Sequence, residues 1–128
     1  MNNRKFGDAG EELACRYLEK NGYKILERNK YYSRFCELDI VAQEKNTIVF
    51  VEVKTRRTND YGTPMEAVTK TKLQNIVKGA RFYAAEHNIK NYRIDVLGIT
   101  LKPELKIQHM KNVSLLSLIH ISEPTRLL

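Results

Sequence analysis

The stretch that decides the fold is "FCELDIVAQEKNTIVFVEVKTRR", Phe35 to Arg57. Two apolar runs flank the polar break "QEKN", and each carries charges: Glu37 and Asp39 in the first, Glu52 and Lys54 in the second. Runs of this length, rich in Val, Ile and Phe, predict two strands of a hairpin, about Phe35–Ala42 and Thr47–Thr55. Charged groups in core-like runs are costly to bury unless something pairs with them. Strand side chains alternate between faces, so Glu37, Asp39 and Val41 are expected on one face and Leu38 and Ile40 on the other. Likewise Ile48, Phe50, Glu52 and Lys54 share a face opposite Val49, Val51 and Val53.

A turn centred near Lys45-Asn46 would set Asp39 almost directly across from Glu52. Facing carboxylates repel. A hard divalent cation removes that penalty by taking carboxylate oxygens as ligands. Lys54, about 6–7 Å along the strand from Glu52, would then hold a water or phosphate beside the cation. The same residues also suit a surface hairpin in which Glu52 and Lys54 make ordinary cross-strand ion pairs. Acid-x-Lys in a strand does not by itself separate the two readings.

Working outward, the segment from about Phe6 to Asn21 has helical spacing, with Phe6, Ala9, Leu13, Ala14, Tyr17 and Leu18 on one face and Gly22 as its stop. Glu11 borders that apolar stripe, whereas Glu12 points away from it. "YKILERNKYY" reads as a strand. Thr63-Pro64-Met65-Glu66 has the residues of a helix start. A second long helix is predicted over Lys70 to His87, with Leu73, Ile76, Val77, Ala80, Tyr83 and Ala84 inward. "YRIDVLGIT" and "ELKIQHM" supply two more strands. The order α-β-β-β-α-β-β predicts an α/β fold, a mixed sheet flanked by helices.

Length and charge narrow the function. A chain of 128 residues suits one domain. Its formal net charge of +7 favours a polyanionic partner, because Lys and Arg neutralise phosphates and release counterions. Cys15 and Cys36 make neither a disulfide framework nor a zinc spacing, and the three histidines are scattered. No signal segment or membrane span is evident, so the expectation is a cytoplasmic protein. The end, "LSLIHISEPTR" from Leu116 to Arg126, looks like the in-frame translation of a sequencing-library adapter. The reading is therefore one domain over 1–114 followed by a non-native tail over 115–128.

Asp39 followed after a short hairpin by Glu52-Val53-Lys54 resembles the PD-(D/E)xK nuclease motif. More closely, "GEELACRYLEKNGYKILERN", "ELDIVA", "IVFVEVKTR" and "PMEAVTKTKLQNI" resemble the YraN-like family of uncharacterised bacterial proteins, over about Phe6 to Val96. That family is similar in fold to restriction endonucleases and archaeal Holliday-junction resolvases, which implies a restriction-endonuclease-like three-layer core. By position, the resemblance implies a catalytic site of Glu11, Asp39, Glu52 and Lys54, with Asp39, Glu52 and Glu11 as metal ligands. It departs from the family at Cys36, where glycine is usual, and at Leu73, where glutamine is frequent.

The expected activity is metal-dependent hydrolysis of phosphodiester bonds in branched or structured DNA, with Mg²⁺ or Mn²⁺ as cofactor. Resolvase-like action would imply a homodimer. Arg56, Arg57, Lys70, Gln74, Lys78 and Arg81 are the candidate nucleic-acid contacts, and Tyr31, Tyr32 and Tyr61 could stack on bases. Glu37 is read as a supporting or ion-pairing acid. Two alternatives stay open: a non-catalytic nucleic-acid-binding module that retains the fold, and an interaction protein whose acids are only ion-paired.

Overall fold

A computed structural model of the protein describes residues 3–34, 36–58, 60, 62, 66 and 68–114, with side chains from residue 7 onward. Tyr61, the Thr63-Pro64-Met65 helix start and the segment 115–128 lie outside the described residues. The elements are α1 (Asn3–Lys20), β1 (Lys24–Ser33), β2 (Cys36–Glu44), β3 (Thr47–Arg56), α2 (Lys70–Glu86), β4 (Tyr92–Thr100) and β5 (Lys106–Met110). This is the order read from the sequence. Among the described residues no helix is long and apolar enough to cross a membrane.

The sheet has five strands in the order β1-β2-β3-β4-β5. It is mixed because α2 carries the chain between β3 and β4, which pair in parallel; the other neighbours are antiparallel. One helix covers each face. Leu73, Ile76, Ala80 and Tyr83 of α2 pack on Val41, Phe50, Ile94 and Val96. Ala14 and Leu18 of α1 pack on Ile40, Val49, Val51, Leu97 and Ile99. These positions alternate along β3 and β4 as the pleat requires.

The helix ends follow local chemistry. Gly22, at φ 90, takes the left-handed position after α1, and Tyr23 N–H closes back on the Leu18 carbonyl. Thr69 caps α2, its side-chain oxygen accepting from Lys72 N–H at 3.1 Å. The β2–β3 turn falls on Lys45-Asn46, with Lys45 at φ 54.

The expected alternation along β2 fails at one point. Leu38 packs with Val41 in the α2 layer, whereas Ile40 packs in the α1 layer. The partner strand explains the break. Asn29, between the pairs Arg28↔Ile40 and Lys30↔Leu38, has φ 53, which kinks β1 opposite Asp39. Cys36 and Leu38 therefore both lean on Gly79 of α2. There the Cys36 thiol donates to the Asn75 carbonyl, and a Cβ on the glycine would sit 3.1 Å from a Leu38 methyl.

Candidate active site

The β2–β3 ladder pairs Ile40 with Val51. One step further, the same register sets Asp39 opposite Glu52, as the sequence predicts. Both acids are buried, Asp39 at 8% exposure and Glu52 at 4%. Asp39 Oδ2 accepts a hydrogen bond from Val53 N–H at 3.0 Å, so its side chain takes over where the strand pairing stops.

The pair opens into a cleft of about 740 Å³ at the end of β3. Gly7 and Glu11 of α1 form one wall, and Val68, Thr69 and Lys72 at the start of α2 form the other. The floor is Asp39 with the run Glu52 to Arg56. Glu11 reaches the cleft because Gly10 lets α1 lie directly on β3: a Cβ at Gly10 would overlap the Thr55 side chain. Glu12 turns outward to Arg28 at 3.0 Å and Arg16 at 3.5 Å. Four residues named from the sequence thus converge: Glu11, Asp39, Glu52 and Lys54.

The electrostatics are those of crowded acids. Burial, then the Asp39 charge, push the Glu11 carboxyl from 4.5 up to about 7. Burial, then Asp39, also hold Glu52 well above its ordinary value, against the pull of Lys72. Glu11 Oε1 and Glu52 Oε2 are buried without a hydrogen-bond partner. Buried acceptors left empty are rare and costly; these two belong to like-charged groups sharing one cleft. That donor set fits a hard divalent cation. Among the described residues, however, no three carboxylate, imidazole or thiol groups already stand at ligand spacing. The cation paired with Glu52 is Lys72, whose Nζ lies 3.5 Å from Glu52 Oε2.

Lys72 is a site residue that the sequence reading missed. Burial lowers the affinity of its ammonium for a proton, but Glu52, Asp39 and Glu37 outweigh that and raise it. Of the proposed nucleic-acid contacts, Arg56 lines the cleft, and its buried Nε has no partner. Arg57 is exposed just beyond the strand, and Lys70, Gln74, Lys78 and Arg81 are exposed along α2 without lining the cleft. Leu73 is core. Tyr32 bonds Glu86 at the far end of α2 and packs on Phe82, away from the Thr69 end. Glu37 does not line the cleft and acts on Glu11 and Lys72 through its charge.

A second polar cluster also went unread. Asp95 of β4 is fully buried, yet it accepts from Arg93 Nε at 2.9 Å and Asn112 N–H at 2.9 Å, and its Oδ2 lies 2.8 Å from His109 Nε2. Arg93 also bonds Glu44 and the Tyr23 hydroxyl, each at 2.8 Å, and His109 Nδ1 lies 3.0 Å from Tyr17 Oη. Burial raises the Asp95 carboxyl, but these bonds outweigh it and keep it below its usual range. Every member has partners, and none lines the cleft. It is a structural lock joining β2, β4, β5 and the end of α1.

A mixed sheet between two helices, with paired acids at the hairpin and an acid from the first helix, is the restriction-endonuclease-like fold. The Holliday junction resolvase Hjc of Archaeoglobus fulgidus matches with a TM-score of 0.51, over 79% of this chain and 72% of that one, at 23% identity. The chain belongs to the uncharacterised protein family UPF0102, whose model matches residues 10–99. The UPF0102 protein of Caldanaerobacter subterraneus subsp. tengcongensis is 45% identical over 118 residues, covering 88% of this chain and 96% of the relative. That of Syntrophomonas wolfei is 46% identical over 113 residues, covering 86% and 97%.

Proposed function

We propose that this protein is a metal-dependent nuclease that hydrolyses phosphodiester bonds in branched or structured DNA. The observation that carries the reading is the pair Asp39 and Glu52, buried together on the floor of a cleft that Lys54, Arg56 and Lys72 also line, with a carboxylate oxygen left empty. A surface hairpin with ordinary ion pairs would leave these acids exposed and paired. Branched DNA is suggested by the fold neighbour, by name a resolvase of Holliday junctions. A junction offers two equivalent strands, which a symmetric dimer would address.

Asp39 and Glu52 would hold the cation, Mg²⁺ or Mn²⁺, with Glu11 as a further ligand. When bound, such an ion supplies Lewis-acid polarisation of a phosphate oxygen and a lowered pKa for water. The chain's own groups do the rest. Val53 N–H orients Asp39 by its hydrogen bond. Lys54, on the same strand two residues past Glu52, would orient the attacking water or offset charge developing on the phosphate. Arg56 and the amide end of α2 would draw the phosphate into the cleft.

The test is cleavage of duplex, single-stranded, flap and four-way DNA with Mg²⁺, Mn²⁺ or chelator, with melting curves of wild type, Asp39→Asn and Glu52→Gln. Cation-dependent cleavage and a cation-induced rise in melting temperature, both lost in the variants, are expected. Salt-sensitive DNA binding indifferent to both variants would instead identify a binding module. Variants that melt lower, with cation affecting none of the three proteins, would mean the acids are structural.

A further inference from the structure

Lys72 is held where a lysine is least at home. It lies in the first turn of α2, whose amide end carries partial positive charge and disfavours cations, and that turn contains no acidic residue. Its backbone is fixed by the Thr69 cap, which accepts from Lys72 N–H at 3.1 Å. Helix side chains lean toward the N-terminus, and here that lean carries the ammonium into the cleft, to 3.5 Å from Glu52 Oε2. At that distance it forms an ion pair without hydrogen-bond geometry, so the buried oxygen keeps an empty acceptor site. The ammonium thus offsets Glu52 without satisfying it.

We propose that Lys72 is a resident counter-ion that a divalent cation must displace from Glu52, and that displacement frees it to meet a nucleic-acid phosphate. The proposal rests on the cation site described above and assigns one of its residues. Two cations cannot both use Glu52 Oε2 at close range, because like charges in a half-dry cleft repel. Removing the lysine therefore removes a competitor. Lys72 is a positioning residue in this scheme, acting on the cation through Glu52. It is half exposed, with 45% of its side-chain surface accessible, which makes it replaceable without harm to the core.

Calorimetric titration of Mn²⁺ into the full chain, as wild type, Lys72→Met, Lys72→Gln and Lys72→Arg, tests this without any activity assay. Loss of the charge should tighten Mn²⁺ binding about fivefold, the scale of one partly exposed ion pair, and should lower the cation-free melting temperature. Lys72→Arg, which keeps the charge, should stay close to wild type. Unchanged or weaker Mn²⁺ binding in both neutral variants, with wild type binding normally, overturns the counter-ion role and leaves the cation site standing. No Mn²⁺ binding by any of the four proteins overturns the cation site and the counter-ion role together. Binding by the neutral variants alone means that Lys72 blocks the site outright, the proposal in its strongest form.

Discussion

Gly10 of α1 and Thr55 of β3 leave no room for a methyl group between helix and sheet; a Cβ on the glycine would overlap the threonine hydroxyl. Gly10→Ala must therefore push α1 away from β3 and carry Glu11 with it. Overpacking of this kind costs about 1–3 kcal/mol. Urea denaturation should show that loss, and Thr55→Ala in the same chain, which removes the overlapping oxygen, should return part of it. An additive double mutant would mean that the contact does not set the helix position.

The adjacent acids Glu11 and Glu12 should behave as opposites. Glu11 lines the cleft with a buried, partnerless oxygen, and Glu12 faces solvent between Arg16 and Arg28. Glu11→Gln is expected to weaken Mn²⁺ binding and metal-dependent cleavage, while Glu12→Gln stays within a few-fold of wild type. Equal effects in the two assays would refute the assignment of α1.

Stability without metal should fall as pH rises. Glu11, lifted from 4.5 to about 7, and Glu52, lifted well above 4.5, keep protons in the folded state that the unfolded chain has released. Stability declines with pH wherever the native state binds more protons. The Glu11 contribution is complete below about pH 4.5 and is lost as pH climbs through about 7. The carboxyls of Asp95 and Glu44 are lowered, so their loss belongs to more acid solution. Cation-free melting temperature should thus drop between about pH 5 and pH 8, and Glu11→Gln should flatten the decline. Saturating Mn²⁺ should raise the melt more at pH 8 than at pH 6, because protons compete with the metal for carboxylates.

Asp95→Ala should be among the most damaging single changes outside the cleft. It leaves Arg93, only 18% exposed, without its bidentate partner. Breaking a buried pair from one side costs about 3–5 kcal/mol, and Asp95→Asn, which keeps an acceptor, should cost less. Because no member of this cluster lines the cleft, Mn²⁺ affinity per folded molecule should be unchanged. Chemical denaturation with parallel calorimetry separates the two quantities.

The hairpin site was legible because its signal is local: the two-residue turn fixes the register, and the register alone faces Asp39 with Glu52. Glu11 was legible for a similar reason, since one helix's periodicity places it at the buried margin. Leu38 was misread because the alternation breaks at a kink made by Asn29, in another strand, at a backbone angle that no side-chain pattern announces. Lys72 was missed because its role depends on where the β3–β4 crossover docks the start of α2, and a lysine in a helix otherwise reads as solvated. Asp95 carried a signal that went unused. An acid inside the run "YRIDVLGIT", two residues after an arginine, raises the same burial question as Asp39, but its partners His109, Tyr23 and Asn112 come from distant segments.

The bond from Val53 N–H to Asp39 has a spectroscopic consequence. Within the ladder an amide donates to a backbone carbonyl whose charge never changes; this one donates to a carboxylate of the proposed cation site. The strength of the bond, and with it the amide's resonance position, follows the occupancy of the cleft. Val53 is thus a natural indicator built into the central strand, and a nitrogen-labelled sample titrated with Mg²⁺ would report binding at this one peak before any substrate is known.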